Sequence, residues 1–497
     1  MGDQNYIKNG DSGRNAIETR LFIDNEFVLP KAGKAFRLVD PATNQATVWV
    51  SEADKDDVDR AVEAARRALG PWSSRAGLDR ATFLLKLADL LERDNHILAR
   101  LEAMSMGRPV SSYGEGFGAA RYCRYVAGLV PNVRGESSLV TEGFINITLR
   151  QPYGVCAAIT PWNAPITMLT FKVAPCVGAG NTLVVKTSEK APLTSLHFAK
   201  LVREAGFPAG VVNILSGFGE PCGAALAAHM DVRKISFTGS VAAGRAVKLA
   251  ATRSNLKEVT LELGGKSPMV VFDDANVVRA AEAAARTTTF NSGQACTSCQ
   301  RVYVHRAVAQ QFCDLVVDKT RQLGTNATPG SHPLDTTTKH GPHPDQKQFD
   351  HIMKYISAAQ SSQCEILLGG KREGTRGFFI EPTIIFEPDE HSPMMREEIF
   401  GSVLCISTFT DEDDVFRRAN DSEYGLYASV FTRDLARALR AAKRFEAGNV
   451  GLNVASPFQT QDMPFNGWKQ SGSGKELGKT CVEDWTETKT CYMSLET

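Results

Sequence analysis

The chain lacks any run of about 18 apolar residues, the length a membrane span requires; Lys172 interrupts the best candidate. It lacks net charge as well, because 56 Lys and Arg are matched by 56 Asp and Glu. Neither nucleic acid nor an acidic membrane is therefore expected as its main partner. Its 11 cysteines show no paired spacing, and an odd number in a large chain argues against a disulfide framework and for a reducing compartment. The first twenty or so residues are polar and carry Asp3, Asp11 and Glu18, which suits neither a signal nor a transit peptide. Met1-Gly2 opens like a myristoylation site, but Tyr6 stands where Ser or Thr is needed. A cytoplasmic protein is expected. Repeats and low-complexity tracts are missing too, and so is the G-x-G-x-x-G fingerprint: after Gly217-Phe218-Gly219 the third glycine is displaced to Gly223.

With 497 residues the chain is too long for one compact core, and two or three domains are expected. The first ordered region reads as helical: Val58, Val62, Ala65 and Leu69 recur at helical spacing behind the cap candidate Asp54, and Ala81, Leu84, Ala88 and Leu91 repeat the pattern. From about 154 to 268 the texture changes. Short β-rich runs at 155–159, 182–186, 211–215, 234–237 and 259–261 alternate with helical segments such as 194–204 and 241–252. Strand alternating with helix predicts a parallel sheet, which binds ligands at the carboxyl ends of its strands. A second α/β stretch runs to about 463, with strands at 269–272, 301–305 and 403–409 and a Gly-, Pro-, His- and Thr-rich loop at 324–345. Two outlying strands, 144–151 and 486–493, are expected to pair with each other or with another subunit.

Four clusters carry chemistry. In Thr160-Pro161-Trp162-Asn163-Ala164-Pro165 two prolines fix a turn, Pro165 suits a first helical position, and the Asn163 amide serves either as a helix cap or as a donor to a developing oxyanion. Lys186-Thr187-Ser188-Glu189 follows a strand; it is either a solvated strand end or a grip on ribose hydroxyls. Phe237-Thr238-Gly239-Ser240 leads from strand into helix, and is either an ordinary glycine turn or a phosphate site at a helix N-terminus. Finally, Glu262 in Leu261-Glu262-Leu263-Gly264-Gly265-Lys266 and Cys296 in Phe290-Asn291-Ser292-Gly293-Gln294-Ala295-Cys296 are either a salt-bridged carboxylate and an inert buried thiol or a general base and a nucleophile.

These segments, in this order and spacing, resemble the signature set of the aldehyde dehydrogenase superfamily. Glu397-Glu398-Ile399-Phe400-Gly401 and Pro464-Phe465-Asn466-Gly467-Trp468-Lys469-Gln470-Ser471-Gly472 extend the resemblance over nearly the whole chain. It implies that Cys296 attacks an aldehyde carbon, that the Asn163 amide and the Cys296 backbone N–H hold the oxyanion, and that Glu262 activates the water that hydrolyses the resulting thioester. Lys172 and Glu476 match residues that support proton transfer from that base. For the cofactor, the resemblance implies that Lys186 and Glu189 contact the adenosine ribose, Ser240 beside Gly239 the pyrophosphate, and Glu398 the nicotinamide ribose, with Phe400 and Trp162 packed nearby. A carboxylate at Glu189 would repel a 2′-phosphate, so NAD is expected over NADP.

The implied architecture is an α/β fold with a Rossmann-like parallel-sheet NAD-binding domain (1–134 and 153–264), an α/β catalytic domain (265–463), and a small bridging pair of strands (135–152 and 481–497) that joins subunits into a homodimer or homotetramer. Several positions depart from the family pattern. Ala164 is small for its place near a substrate tunnel, Ser402 stands for a usual proline, Asn466 for a glycine and Gly451 for a bulky residue, and the loop at 324–341 lacks the usual Gly-Asp-Pro start. By position Ala164, Met168, Phe171, Ala295, Thr297 and Phe458 would line the tunnel, and apolar walls favour an aliphatic or aromatic aldehyde. Rival readings are a dehydrogenase that passes the acyl group to coenzyme A, which generally lacks a hydrolytic glutamate; a non-catalytic protein of the same fold; and a redox dithiol or half a zinc site at Cys296-Thr297-Ser298-Cys299. No second C-x-x-C accompanies the last, and no metal is expected.

Overall fold

The structure, a computed structural model, describes residues 17–362 and 364–496. The N-terminal features read above (Met1-Gly2, Asp3, Tyr6 and Asp11) lie outside the described residues.

Five parallel strands form the centre of the first sheet: Val155–Ile159, Thr182–Thr187, Val212–Ser216, Lys234–Thr238 and Glu258–Glu262. The first four are buried throughout, as β-rich segments covered by helices on both faces should be. Side by side they run third, second, first, fourth, fifth. The order therefore reverses between Val155–Ile159 and Lys234–Thr238, where an open α/β sheet forms its ligand crevice. Each expected strand is present, shifted by at most a residue or two.

Antiparallel pieces close both edges. Leu21–Ile23 pairs with Val212–Ser216 through Phe22 and Ile214, and Gly472–Ser473 pairs with Leu261 and Glu262. The N-terminal edge corrects the sequence reading, in which the first ordered region was helical. Strands Leu21–Ile23, Glu26–Val28, Ala35–Asp40 and Gln45–Ser51 precede the first helix, Lys55–Ser73. They form two hairpins, and Asp24 and Asn25, at φ 56° and 65°, supply the left-handed pair that a tight hairpin turn demands. Asp54 does cap that helix, in a reciprocal capping box with Asp57.

A second sheet is ordered Glu365–Leu368, Thr383–Phe386, Val403–Phe409, Arg301–His305, Pro268–Val271, Tyr427–Phe431, Asn449–Leu452, all parallel except the first. Only three of these seven strands were anticipated from sequence. Residues 325–345 carry neither helix nor strand, as expected. The outlying strands pair with each other: Phe144–Pro152 runs antiparallel to Thr486–Ser494, with Ser137–Ser138 on its other side. Among the described residues no helix is long and apolar enough to cross a membrane.

Candidate active site

Asn163 and the Cys296 loop are built as one unit. Pro165 opens the helix Pro165–Gly178 at its first position, which holds the turn before it. The Asn163 Nδ2 donates to the Gln294 carbonyl at 3.0 Å, and the Asn291 Nδ2 donates back to the Asn163 carbonyl at 2.9 Å. Asn291, Ser292 and Gly293 have φ of 48°, 54° and 72°, a run of left-handed residues that turns the chain sharply before Cys296. Gly293 is obligatory there, since a Cβ would lie 2.3 Å from the Gly401 carbonyl oxygen.

This turn faces a cleft of about 1040 Å³ at the switch point of the first sheet, bordered by Trp162, Asn163, Glu262 and Cys296. Glu262 ends its strand and is only 4% exposed. Both carboxyl oxygens lack a hydrogen-bond partner of ordinary geometry, and the Cys296 thiol is its near polar neighbour. Burial first, and the Glu476 charge second, push the Glu262 carboxyl up to about 8, against the opposing pull of Cys296 and Lys172. Cys296 is half-buried; burial and then the Glu262 charge hold its thiol well above the usual range. The resting pair is thus a neutral thiol beside a carboxyl poised to ionise near neutrality. Lys172 and Glu476 lie behind Glu262, outside the cleft, with Nζ and Oε1 2.5 Å apart.

The cofactor candidates border the same cleft. Lys186 is buried and its Nζ sits 3.4 Å from Glu189 at the cleft wall. Ser240 caps the helix Val241–Arg253, its Oγ accepting from the Ala243 N–H, and Gly239 precedes it with no side chain to block the helix N-terminus. Glu398 is anchored by the Gly265 N–H, 2.9 Å from Oε1. Burial raises its carboxyl to about 7, while that N–H and the charge of Lys266 pull the other way. Phe400 is held at φ 56° with its ring edge-on to Trp162, centroids 5.3 Å apart.

Of the six tunnel candidates, Met168 alone borders this cleft. Ala164 is the residue before the helix Pro165–Gly178. Phe171 instead meets Tyr122 edge-on at 4.8 Å and lines a small cavity behind the sheet. Ala295 is half-buried beside Cys296, the Thr297 hydroxyl bonds Ser456 at 2.5 Å, and Phe458 is 54% exposed. Ser402, standing for the usual proline, donates its hydroxyl to the Thr288 carbonyl at 3.0 Å.

The sequence reading missed Gln348, His351 and Tyr424, which also border the cleft. Gln348 Nε2 donates to the Phe400 carbonyl at 3.0 Å and so fixes that turn; an amphipathic helix, Gln346–Gln360, gave no signal of it. Lys266 was missed as well: it is 2% exposed, its Nζ has no partner, and burial lowers it to about 8. Cys299 is fully buried in the core of the second sheet, bonded to Ser429. The loop histidines are engaged elsewhere: His332 with Asp40, His340 with the Ile380 carbonyl, His343 with Gln294. Among the described residues no group of three or more His, Cys, Asp or Glu is placed to hold a metal ion.

Comparison with known proteins agrees with this geometry. A family model described as the aldehyde dehydrogenase family matches residues 27–491. Retinaldehyde dehydrogenase 3 of Rattus norvegicus is 42% identical over 483 residues, 96% of this chain and 93% of that one. Retinal dehydrogenase 2 of Gallus gallus is 41% identical over 96% of this chain and 92% of its own. Among solved structures, the indole-3-acetaldehyde dehydrogenase of P. syringae, a mutant in complex with NAD+ and IAA, superposes with a TM-score of 0.93 at 36% identity, covering 96% of this chain and 97% of that one. The NAD+ complex of an aldehyde dehydrogenase from Bacillus cereus superposes with the same score at 35% identity, covering 96% of this chain and 97% of its own. Matched by that family model over residues 27–491 and by relatives almost end to end, with a buried carboxyl beside a half-buried thiol in the cleft of its first sheet, this protein is a member of the aldehyde dehydrogenase family.

Proposed function

We propose that this enzyme oxidises an aldehyde to a carboxylic acid with NAD, through a thioester on Cys296 that Glu262 hydrolyses. The observation that carries the reading is the Glu262 carboxyl, buried without a hydrogen-bond partner and pushed up to about 8 beside the Cys296 thiol. Such a carboxyl is a far stronger base at neutral pH than an exposed one. Cys296, deprotonated as it attacks, forms a thiohemiacetal whose oxyanion the Asn163 amide and the Cys296 N–H stabilise. NAD, when bound, supplies the hydride acceptor. Glu262 then takes a proton from water, the water oxygen adds to the thioester carbon, and the carbon–sulfur bond breaks to return the thiol.

The cleft suits that cofactor. It lies where a parallel sheet binds dinucleotides, a helix N-terminus behind Gly239 and Ser240 offers N–H groups and a positive dipole end, and Glu189 and Glu398 are carboxylates able to accept from ribose hydroxyls. Gly264 leaves room for Glu398: a Cβ there would lie 2.1 Å from its Oε2.

In this reading residues 1–134 and 153–264 form the cofactor domain, 265–463 the catalytic domain, and 135–152 with 481–497 the element that joins subunits into a homodimer or homotetramer in the cytoplasm. Relatives named for retinaldehyde and indole-3-acetaldehyde, and the apolar Met168 at the cleft, favour an aliphatic or aromatic aldehyde. The test is NADH formation at 340 nm with hexanal, benzaldehyde, retinaldehyde, betaine aldehyde and a dicarboxylic semialdehyde, beside Cys296→Ala. Turnover with NAD that Cys296→Ala abolishes is expected. Turnover that appears only on adding coenzyme A would replace hydrolysis with acyl transfer, and faster turnover of the charged aldehydes would remove the apolar pocket.

A further inference from the structure

Residues 325–345 form neither helix nor strand and supply no wall of the cleft, yet the stretch 339–343 within them is fixed on several sides. Asn326 Oδ1 accepts from the Lys339 and His340 N–H groups at 2.8 and 3.0 Å, and Asn326 Nδ2 donates to the His340 carbonyl at 2.8 Å. A Cβ on Gly341 would lie 2.1 Å from the Gly107 carbonyl oxygen, so only glycine passes there. The His343 N–H donates to the Phe378 carbonyl at 2.9 Å, and the His343 ring is fully buried. A long irregular loop held this firmly is usually a functional one.

What it braces is the turn before Cys296. Ser292 Oγ donates to the Gly341 carbonyl at 2.8 Å, and His343 Nδ1 lies 2.9 Å from Gln294 Oε1. The Gln294 amide nitrogen is already committed, donating to the Asn291 carbonyl at 2.9 Å, so the amide oxygen faces His343 and Nδ1 carries the proton. Burial, and then the neighbouring His340, lowers the His343 ring to about 3, which keeps it neutral and its donor in place at ordinary pH. Asn291 and Ser292 sit at φ 48° and 54°, a conformation that costs free energy in non-glycine residues and persists only where the surroundings over-determine it. Gln294 matters most, because its carbonyl accepts from Asn163 Nδ2 at 3.0 Å. An amide nitrogen carries two hydrogens. With one given to Gln294, the other is left for an oxyanion in the cleft that Asn163 borders, and its direction follows from where the Gln294 carbonyl stands.

We infer that His343 is a positioning residue for the oxyanion donor: through Gln294 it fixes the Asn163 amide, and with it the second amide hydrogen, at the angle that chemistry on Cys296 requires. The inference rests on Asn163 being that donor and Cys296 the nucleophile. His343 touches neither substrate nor cofactor and exchanges no proton in the reaction. Its loss leaves Gln294 Oε1 buried without a partner, and the side chain that ties the strained turn together is then free to swing. Misplacing a group at the reacting centre by about an ångström costs about a hundredfold, and losing an oxyanion donor outright costs about a hundredfold to a thousandfold. A donor that is present but poorly aimed falls below the second figure.

The test is single-turnover NADH formation, with enzyme in excess over its fastest aldehyde, in His343→Leu, His343→Asn, Asn163→Ala and Asn163→Ala/His343→Leu. His343→Leu is expected to slow the turnover about tenfold to a hundredfold, with the steady-state KM for NAD unchanged and Cys296 alkylated by iodoacetamide at the wild-type rate. His343→Asn restores most of the rate, because its amide nitrogen stands where Nδ1 stood. In the Asn163→Ala background His343→Leu costs about twofold at most, since the group it acts through is gone. A loss as large in that background as in the wild type, alkylation that slows in step with turnover, His343→Asn as slow as His343→Leu, or a folded His343→Leu at the wild-type rate each overturns the inference. If Asn163→Ala itself keeps the wild-type rate, the oxyanion assignment is what fails, and the inference falls with it. Should His343→Leu not fold, Gln294→Met, which keeps the carbonyl and removes Oε1, carries the same comparison.

Discussion

Lys172 Nζ lies 2.5 Å from Glu476 Oε1, joining residues 304 positions apart in a contact where the lysine is fully buried. Removing one partner of such a pair strands the other charge and costs about 3–5 kcal/mol, whereas replacing both with apolar groups is often nearly neutral. Lys172→Met and Glu476→Gln are each expected to lose about that much stability, and Lys172→Met/Glu476→Leu to recover most of it. Denaturant unfolding of the four proteins checks this; losses that simply add would show the two residues to be uncoupled.

The raised Glu262 carboxyl has a defined sign. Between about 4.5 and about 8 the folded chain keeps a proton that the unfolded chain has released. Its contribution to stability is complete below 4.5, falls as pH rises, and is lost above about 8. Melting temperature against pH should therefore decline across this window less steeply in Glu262→Gln than in the parent. The rate of thioester hydrolysis should rise through the same window in the parent and stay low and flat in Glu262→Gln.

The Glu262 charge also holds the Cys296 thiol up. Glu262→Gln is expected to alkylate faster with iodoacetamide at pH 9, because the thiolate no longer forms beside a carboxylate. Peptide mapping separates Cys296 from Cys364 and Cys491, the other two half-buried thiols. Slower alkylation would mean that Glu262 serves the thiol as its base.

With Glu189 gripping the adenosine ribose as proposed, Glu189→Ser removes a like charge from the place where a 2′-phosphate would sit. Like-charge contacts cost several kcal/mol, so kcat/KM with NADP is expected to rise by about tenfold or more while that with NAD falls. Steady-state kinetics with both cofactors measures the switch, and an unchanged ratio would move the ribose grip elsewhere.

Gly264→Ala drives a methyl group into Glu398, whose Oε2 lies 2.1 Å from the added Cβ. Displacing the carboxylate by about an ångström should cost about tenfold to a hundredfold in kcat/KM for NAD, with Cys296 alkylation unaffected. Wild-type kinetics would show that Glu398 moves freely.

Much of this was legible in the sequence because it is local. The runs at 155–159 and 182–186 are β-rich and end at Thr160 and Thr187, where the chemistry begins, and Glu262 between Leu261 and Leu263 announced a desolvated carboxyl. What could not be read was mostly distant or short. From its own surroundings Lys172 reads only as an interruption of an apolar run; the family resemblance, and no local pattern, set it beside Glu476. The strand Glu26–Val28, three residues long, is too brief to register a period. Phe171 and Phe458 were assigned to the tunnel by position alone, and the direction a helix or loop turns such a ring depends on neighbours such as Tyr122 that lie far off in the chain.

The strand carrying Glu262 has one neighbour from upstream, Lys234–Thr238, and one from far downstream, Gly472–Ser473. During synthesis its outer edge therefore stays open until almost the entire polypeptide has left the ribosome. An exposed strand edge invites pairing with other chains, and domains usually complete in order of emergence; here the first sheet, begun first, is finished last. A nascent chain stalled between about 265 and 470 would carry that open edge, so chaperone capture should peak for stalls in this interval and drop once Ser473 has emerged.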